Sequence, residues 1–309
     1  MPWHPLHGVR VLDLSRLLPG PFMTQLLADL GADVVKVEEP TVGDYARWIG
    51  PDVDGAGYAF SAVNRGKRSV ALDLKAEGGA AALLTLAARA DVLVESFRPG
   101  VMDRLGLGDE ALARANPRLV RVSLVGYPPG EWRGDPNHDL NAQALSGLLA
   151  AQGPPGSPMA GAAQVADVGG ALYAAVATLA ALRERDATGR GRRVEVALSD
   201  AALAFATALL ARAEAEGAAA DAARDLQGDL ACYRVYACAD GRHVALAALE
   251  PKFWKRFVAA TGRDDLADRH PGRDMATHAA LEALFRAGAR DAWVARLRAA
   301  GVPATPVLA

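Results

Sequence analysis

Short apolar runs alternate with helix-like periodicity through the first part of the chain. Val9 to Leu14 is a buried-strand pattern carrying one acid, Asp13. It ends at Leu18-Pro19-Gly20-Pro21, and Pro21 is placed to open a helix, where its missing N–H costs nothing. That helix runs from Phe22 to Leu30 and stops at Gly31, a natural left-handed cap. Val34 to Val37, Asp91 to Val94 and Leu119 to Val125 read as further strands, with a helix over Glu77 to Arg89 between them. Strands separated by helices predict a parallel sheet wound in right-handed crossovers. The middle reads as helix: Leu140 to Ala150, then Asp167 to Arg185 with Asp167 as its cap, and after a β-like stretch at Arg193 to Leu198, Ser199 to about Glu216. Alanine-rich residues 211–224 read as a helical connector. Beyond it the pattern changes. Cys232 to Ala237 and His243 to Leu249 flank Ala-Asp-Gly-Arg, a hairpin signal, and helices follow from about Lys252, Thr277 and Asp291. The expectation is an α/β protein: a large Rossmann-like domain with its helical connector over residues 1–225, and a smaller α+β domain over 226–309.

Composition changes this picture little. A chain of 309 residues suits two cores, since single cores seldom grow beyond ~250–300 residues. A net charge of −2 creates no global field for nucleic acid or an anionic membrane, so neither is expected as a partner, and an anionic ligand has to be held by a local cluster. Cys232 and Cys238 match no metal-ligand spacing and are too few for a disulfide framework; they read as small side chains of one strand. No basic segment followed by an apolar run opens the chain, and apolar stretches such as Ala171 to Leu182 stop at charges short of ~20 residues. A cytoplasmic protein with no bilayer span is expected.

The candidate chemistry is local. In a doubly wound sheet ligands collect beyond the carboxyl ends of the strands, which is where Arg98 and Arg104 fall, around Pro99-Gly100. They suit a phosphate-bearing ligand, although a solvated loop explains the same charges. No Walker pattern or dinucleotide glycine fingerprint follows the first strand. Of six histidines, His138 differs from those in polar, surface-like stretches such as His270 and His278: it stands in Asn137-His138-Asp139 directly before an apolar helix. A helix start offers free N–H groups to an oxyanion. The same residues also fit a plain cap, Asn137 or Asp139, with His138 a bystander. Asp167, in an apolar stretch at a predicted helix start, is either a cap or a buried acid. Glu250 ends the second hairpin strand beside Pro251.

Taken together, Leu18 to Phe22, Leu27 to Glu38, Asn64 to Lys75, Ser96 to Gly106, Asn116 to Val120, Ala166-Asp167, Gly189 to Gly191, Tyr236 to Gly241 and Thr305 to Val307 resemble the class III coenzyme A-transferase family. That family includes formyl-CoA transferases and α-methylacyl-CoA racemases. The racemases resemble a Gly-His-Asp motif before a helix, an Asp about thirty residues on, and Glu-Pro after the hairpin; here stand His138-Asp139, Asp167 and Glu250-Pro251. The resemblance implies an α-proton racemase of acyl-CoA esters with His138 and Asp167 as opposed bases, Glu250 orienting His138, and Asn137 and Asp139 at the enolate. The transferase alternative makes Asp167 a nucleophile instead. CoA, part of the substrate and not a bound cofactor, is implied to lie on Leu72, Asp73, Leu74, Lys75, Ser96, Phe97, Arg98 and Arg104, with no metal. An acyl-CoA ester as the small-molecule partner and an interlocked homodimer are implied as well. Three positions depart from the pattern: Glu39 where many members carry arginine, Asn137 where the racemases carry glycine, and Ala142 where a tyrosine is usual.

Overall fold

A computed structural model describes residues 3–154, 156–217 and 225–308. The chain divides into two compact units, residues 1–220 and 221–309.

In the first unit the elements are β1 (Arg10–Asp13), α1 (Pro19–Asp29), β2 (Asp33–Glu38), a small hairpin of β3 (Asp52–Val53) and β4 (Ala56–Gly57), α2 (Tyr58–Asn64), β5 (Arg68–Ala71), α3 (Gly79–Ala87), β6 (Val92–Glu95), α4 (Val101–Arg104), α5 (Asp109–Ala115), β7 (Val120–Val125), α6 (Asp139–Leu145), α7 (Val165–Thr188), β8 (Arg193–Ala197), α8 (Leu198–Phe205) and α9 (Thr207–Glu216). Six strands form one parallel sheet in the order β5-β2-β1-β6-β7-β8. This is the doubly wound order, with its topological switch between β1 and β6. Because successive side chains point to opposite faces, each strand feeds two cores. Val11, Val92, Val94, Val122 and Leu124 pack with Met23 and Leu27 of α1 and the alanines of α7. Leu12 and Leu93 pack on the other face with Leu83 and Ala87 of α3 and Leu112 of α5. Fully burying one such Met or Leu side chain contributes about 1.5–3 kcal/mol.

Helix α7 approaches its neighbours closely because it is built from small residues. Gly169 lies under the Phe205 ring and Gly170 under Leu198; an added Cβ would come within 2.5 Å and 2.4 Å of those side chains. By length and apolar composition α7 is sufficient to cross a bilayer, contrary to the expectation from the shorter run Ala171 to Leu182. More than half of its most apolar 18-residue stretch is buried, and the helix packs against α1, α6, α8 and β7 as a core helix does.

Several boundaries differ from the sequence expectation. The helix expected from Ser199 to Glu216 is broken at Ala206 into α8 and α9. Helix α6 ends at Leu145 and not at Ala150. The connector of residues 211–224 is helical as far as Glu216, and residues 218–224 lie outside the described residues.

The second unit holds β9 (Tyr233–Ala237), β10 (His243–Ala247), α10 (Pro251–Thr261), α11 (Met275–Arg286), α12 (Arg290–Ala299) and β11 (Ala304–Pro306). The hairpin β9–β10 gains β11 as a third antiparallel strand. Its core is aromatic. Tyr236 stacks on Phe285 at 4.8 Å, and Trp293 meets Phe285 edge-on at 5.4 Å. The polar tips are satisfied: the Tyr236 hydroxyl donates to Ala231 O at 2.6 Å and the Trp254 indole N–H to Leu266 O at 2.9 Å. Cys232 and Cys238 flank β9, buried and unpaired, and do not share a strand interior. His278, expected at the surface, is buried: its Nδ1 faces Arg234 Nη1 at 2.8 Å and its Nε2 faces Asp229 O at 3.0 Å.

Candidate active site

The carboxyl end of β1 is organised by charges taken fully out of water. Asp13 accepts from the Ser15 N–H (3.0 Å), Thr24 Oγ1 (2.6 Å) and Lys67 Nζ (3.1 Å). Lys36 Nζ donates to Ser15 O (2.8 Å) and pairs with Asp44 (2.9 Å), which in turn accepts the Leu17 N–H at 3.0 Å. Burial works against the Asp13 charge, but Lys36 and Lys67 overcome it and hold the carboxyl at about 2. Burial draws Lys67 down to about 8 against the pull of Asp13. These contacts clamp the β1–α1 loop on both sides, including Leu17 in a left-handed conformation (φ 62). Arg16 is thereby fixed at the switch point, its N–H on Ser96 Oγ at 3.3 Å.

A cavity of about 560 Å³ opens beside Arg16, beyond the ends of β1, β2, β5 and β6. Arg16, Tyr45, Leu72, Lys75 and Phe97 are among the residues lining it, as are Asp73 and Leu74. The Arg16 guanidinium lies over the Tyr45 ring (5.2 Å) and the Phe97 ring (5.9 Å), and donates to the Tyr45 hydroxyl at 3.1 Å. This wall of aromatic faces and cations suits a nucleotide base with attached phosphates. The acids of the cavity are already engaged. Burial would raise the Glu38 carboxyl, but Arg47 and Ser69 hold it at about 2. Glu39 turns back on its own loop, accepting from Thr41 Oγ1 at 2.7 Å and the Val42 N–H at 2.8 Å. Of the expected ligand-binding residues, Leu72 to Lys75 and Phe97 meet here, and Ser96 supports Arg16. Arg98 instead lines a smaller cavity of about 130 Å³ with Glu95, Ser123 and Arg121, and Arg104 lies in neither. Both arginines are exposed, and neither has an ion-pair partner among the described residues. Sequence reasoning passed over Arg16; its signal was the position directly after the first strand, where a doubly wound sheet presents its ligand.

The second cluster sits where α6 meets α7. His138 is the N-cap of α6, extended (φ −133, ψ 169), and its N–H donates to Asn141 Oδ1 at 3.2 Å. Asn137, just before it, packs on Gly126 directly after β7, with both polar side-chain atoms buried and without a hydrogen-bond partner among the described residues. Asp167 is not the cap expected of it: α7 begins at Val165, which puts Asp167 in the first turn. The cap comes from the other helix. Asp139 Oδ1 accepts the N–H groups of Ala166 (2.8 Å) and Asp167 (3.0 Å), and Gln143 Nε2 donates to Asp139 Oδ2 at 2.5 Å. One side chain thus ties the residue after His138 to Asp167. The Asp167 side is 9% exposed, and its carboxyl accepts no hydrogen bond from the described residues. Burial, with the Asp139 charge adding to it, raises its pKa to about 7. A carboxyl group that exchanges its proton near neutrality is fitted to general acid–base work. Glu250 belongs to the second unit, where it is the exposed N-cap of α10.

The chain is similar to known proteins along nearly its whole length. Residues 6–309 match the family model described as CoA-transferase family III. An acetyl-CoA:oxalate CoA-transferase of Acetobacter aceti is 37% identical over 99% of this chain and 82% of its own length. An α-methylacyl-CoA racemase of Homo sapiens is 38% identical over 83% of this chain and 65% of its own length. The crystal structure of a CaiB/BaiF family protein from Brucella suis superposes with a TM-score of 0.85, at 32% identity, over 99% of this chain and 84% of that one.

Proposed function

The chain belongs to CoA-transferase family III, and from that premise we propose that it racemises or epimerises 2-methylacyl-CoA thioesters by two-base transfer of the α-proton through an enolate. The observation that carries the reading is the Asp139 cap on α7, which seats the buried Asp167 beside the His138 helix start. A thioester α-proton is weakly acidic, so inversion needs a base on one face, an acid on the other and a donor for the enolate oxygen. His138 serves one face and Asp167 the other. The Asp139 N–H, in the first turn of α6 and with no protein acceptor among the described residues, receives the enolate oxygen. Asn137 borders that position, and fixing an imidazole tautomer is the role that the family resemblance gives to Glu250. The CoA nucleotide lies in the cavity lined by Arg16, Leu72 to Lys75 and Phe97, beside Ser96; Arg98 and Arg104, exposed and outside that cavity, are the cations assigned to phosphates that extend beyond it. The acyl-CoA ester is the one small-molecule partner, with no cofactor, metal, nucleic acid or membrane. A cytoplasmic homodimer completes the reading; the unpaired thiols of Cys232 and Cys238 fit a reducing compartment.

Incubation of 2-methylacyl-CoA esters in deuterated water tests the reaction. Wild-type protein should incorporate deuterium at the α-carbon of both epimers. His138→Ala should stop exchange from one epimer, Asp167→Asn from the other, and Glu250→Gln should slow both less. A second reading has support in the acetyl-CoA:oxalate CoA-transferase relative. In it the Asp167 carboxylate attacks the thioester carbonyl, CoA leaves as the thiolate and a mixed anhydride remains on Asp167. An acyl adduct trapped on Asp167, with no α-exchange in the wild type, would overturn the racemase reading in its favour.

A further inference from the structure

Asp139 occupies the positive end of a helix that is not its own. An acid in the first turn of a long helix is ordinarily stabilised as the carboxylate by the free amides and the dipole, equivalent to about half a positive charge. Asp167 stands in that position on the 24-residue α7, yet two of those amides, its own N–H included, are taken by Asp139 Oδ1 at 2.8 and 3.0 Å. The Asp139 carboxylate accepts three hydrogen bonds, the third from Gln143 Nε2. Asp139 therefore cancels the field that would otherwise ionise Asp167 and adds a like charge close by. The remaining ionisable groups on the elements packed against α7 are His138 on α6, Asp200 on α8, Asp29 on α1, Arg121 on β7, and Arg193 and Glu195 on β8. Arg121 and Arg193 are paired with Asp109, at 2.9 and 3.3 Å, and Glu195 with Arg133 at 2.7 Å. Among the described residues, Asp139 is the one charge that acts on Asp167.

We propose that Asp139 is a positioning residue that keeps Asp167 able to hold a proton at neutral pH, by occupying the α7 amides and by its own negative charge. The value of this to the enzyme rests on Asp167 being the proton carrier of the reaction proposed above; the titration itself does not. Aspartate labelled with ¹³C at the side-chain carboxyl, incorporated into the full chain, reads the midpoint directly, the Asp167 signal being identified by its loss in Asp167→Asn. Asp139→Asn and Asp139→Ser both keep a short acceptor for the cap and remove the charge. The Asp167 midpoint should lie near 7 in the wild type and fall by about one unit or more in each folded variant, the shift expected when a close like charge is removed. An unchanged midpoint in either folded variant overturns the proposal, as does a wild-type midpoint in the ordinary carboxylate range. Absence of α-exchange in the wild type would refute the racemase reading and leave these midpoints as they are.

Discussion

A carboxyl group held protonated inside a protein carries a pH-dependent cost. Asp167 titrates near 3.8 in the unfolded chain and about 7 in the folded one, so between these values the folded protein binds more protons. The stability this group permits is complete below the unfolded value and is lost as pH rises through about 7. Asparagine imitates the protonated acid without the charge. The advantage of Asp167→Asn over wild type should therefore grow from pH 4 to pH 8 and then level off, at a size on the order of a few kcal/mol. Urea denaturation across that range measures it, and a difference that does not vary with pH would refute the raised titration. The buried quartet of Asp13, Lys36, Lys67 and Asp44 has the opposite character, since each charge there has a partner and the β1–α1 loop depends on all four.

Elements meet at the site through positions with no room to spare. An added Cβ on Gly126, directly after β7, would lie 2.5 Å from Asn137 Cβ, so the loop cannot return to α6 past a larger residue. Gly126→Ala should cost about 1–3 kcal/mol by overpacking and, by displacing the residue next to His138, slow the reaction more than about ten-fold. An unaltered rate in the folded variant would mean that the seat of His138 does not depend on this contact. The same junction marks how far the sequence could be read. Apolar runs such as Leu119 to Val125 announce strands because both faces of a parallel sheet are buried. His138, Asp139 and Asp167 stood out as polar residues at helix starts. Their linkage did not, because a cap supplied by one helix to another leaves no local periodicity. Strand β11 escaped for a similar reason: Ala304 to Pro306 is too short to alternate, and its pairing with β10 is made across three helices. The break at Ala206 lies inside an uninterrupted alanine-rich stretch with no proline or glycine to mark it.

At the scale of the whole molecule, Leu172, Val176 and Leu179 form an exposed stripe along α7, and Leu203 and Phe205 of α8 are exposed as well. Apolar surface of this kind is what a second copy of the chain would cover in the proposed homodimer. Light scattering at micromolar concentration should give twice the chain mass for wild type and the single mass for Val176→Lys; a monomeric wild type removes the homodimer from the reading. The strand order has a different consequence, which concerns the chain while it is being made. Every residue lining the 560 Å³ cavity lies between Leu14 and Leu105, and β5, β2, β1, β6 and β7 are complete at Val125, before any of α7 exists. Chains emerge from the ribosome amino end first. A nascent chain thus completes this cavity before Asp167 has been made, and until α7 has emerged the face of the sheet bearing Val92, Val94 and Val122 lacks that cover. The strand order thus sets an interval during synthesis in which that apolar face is open.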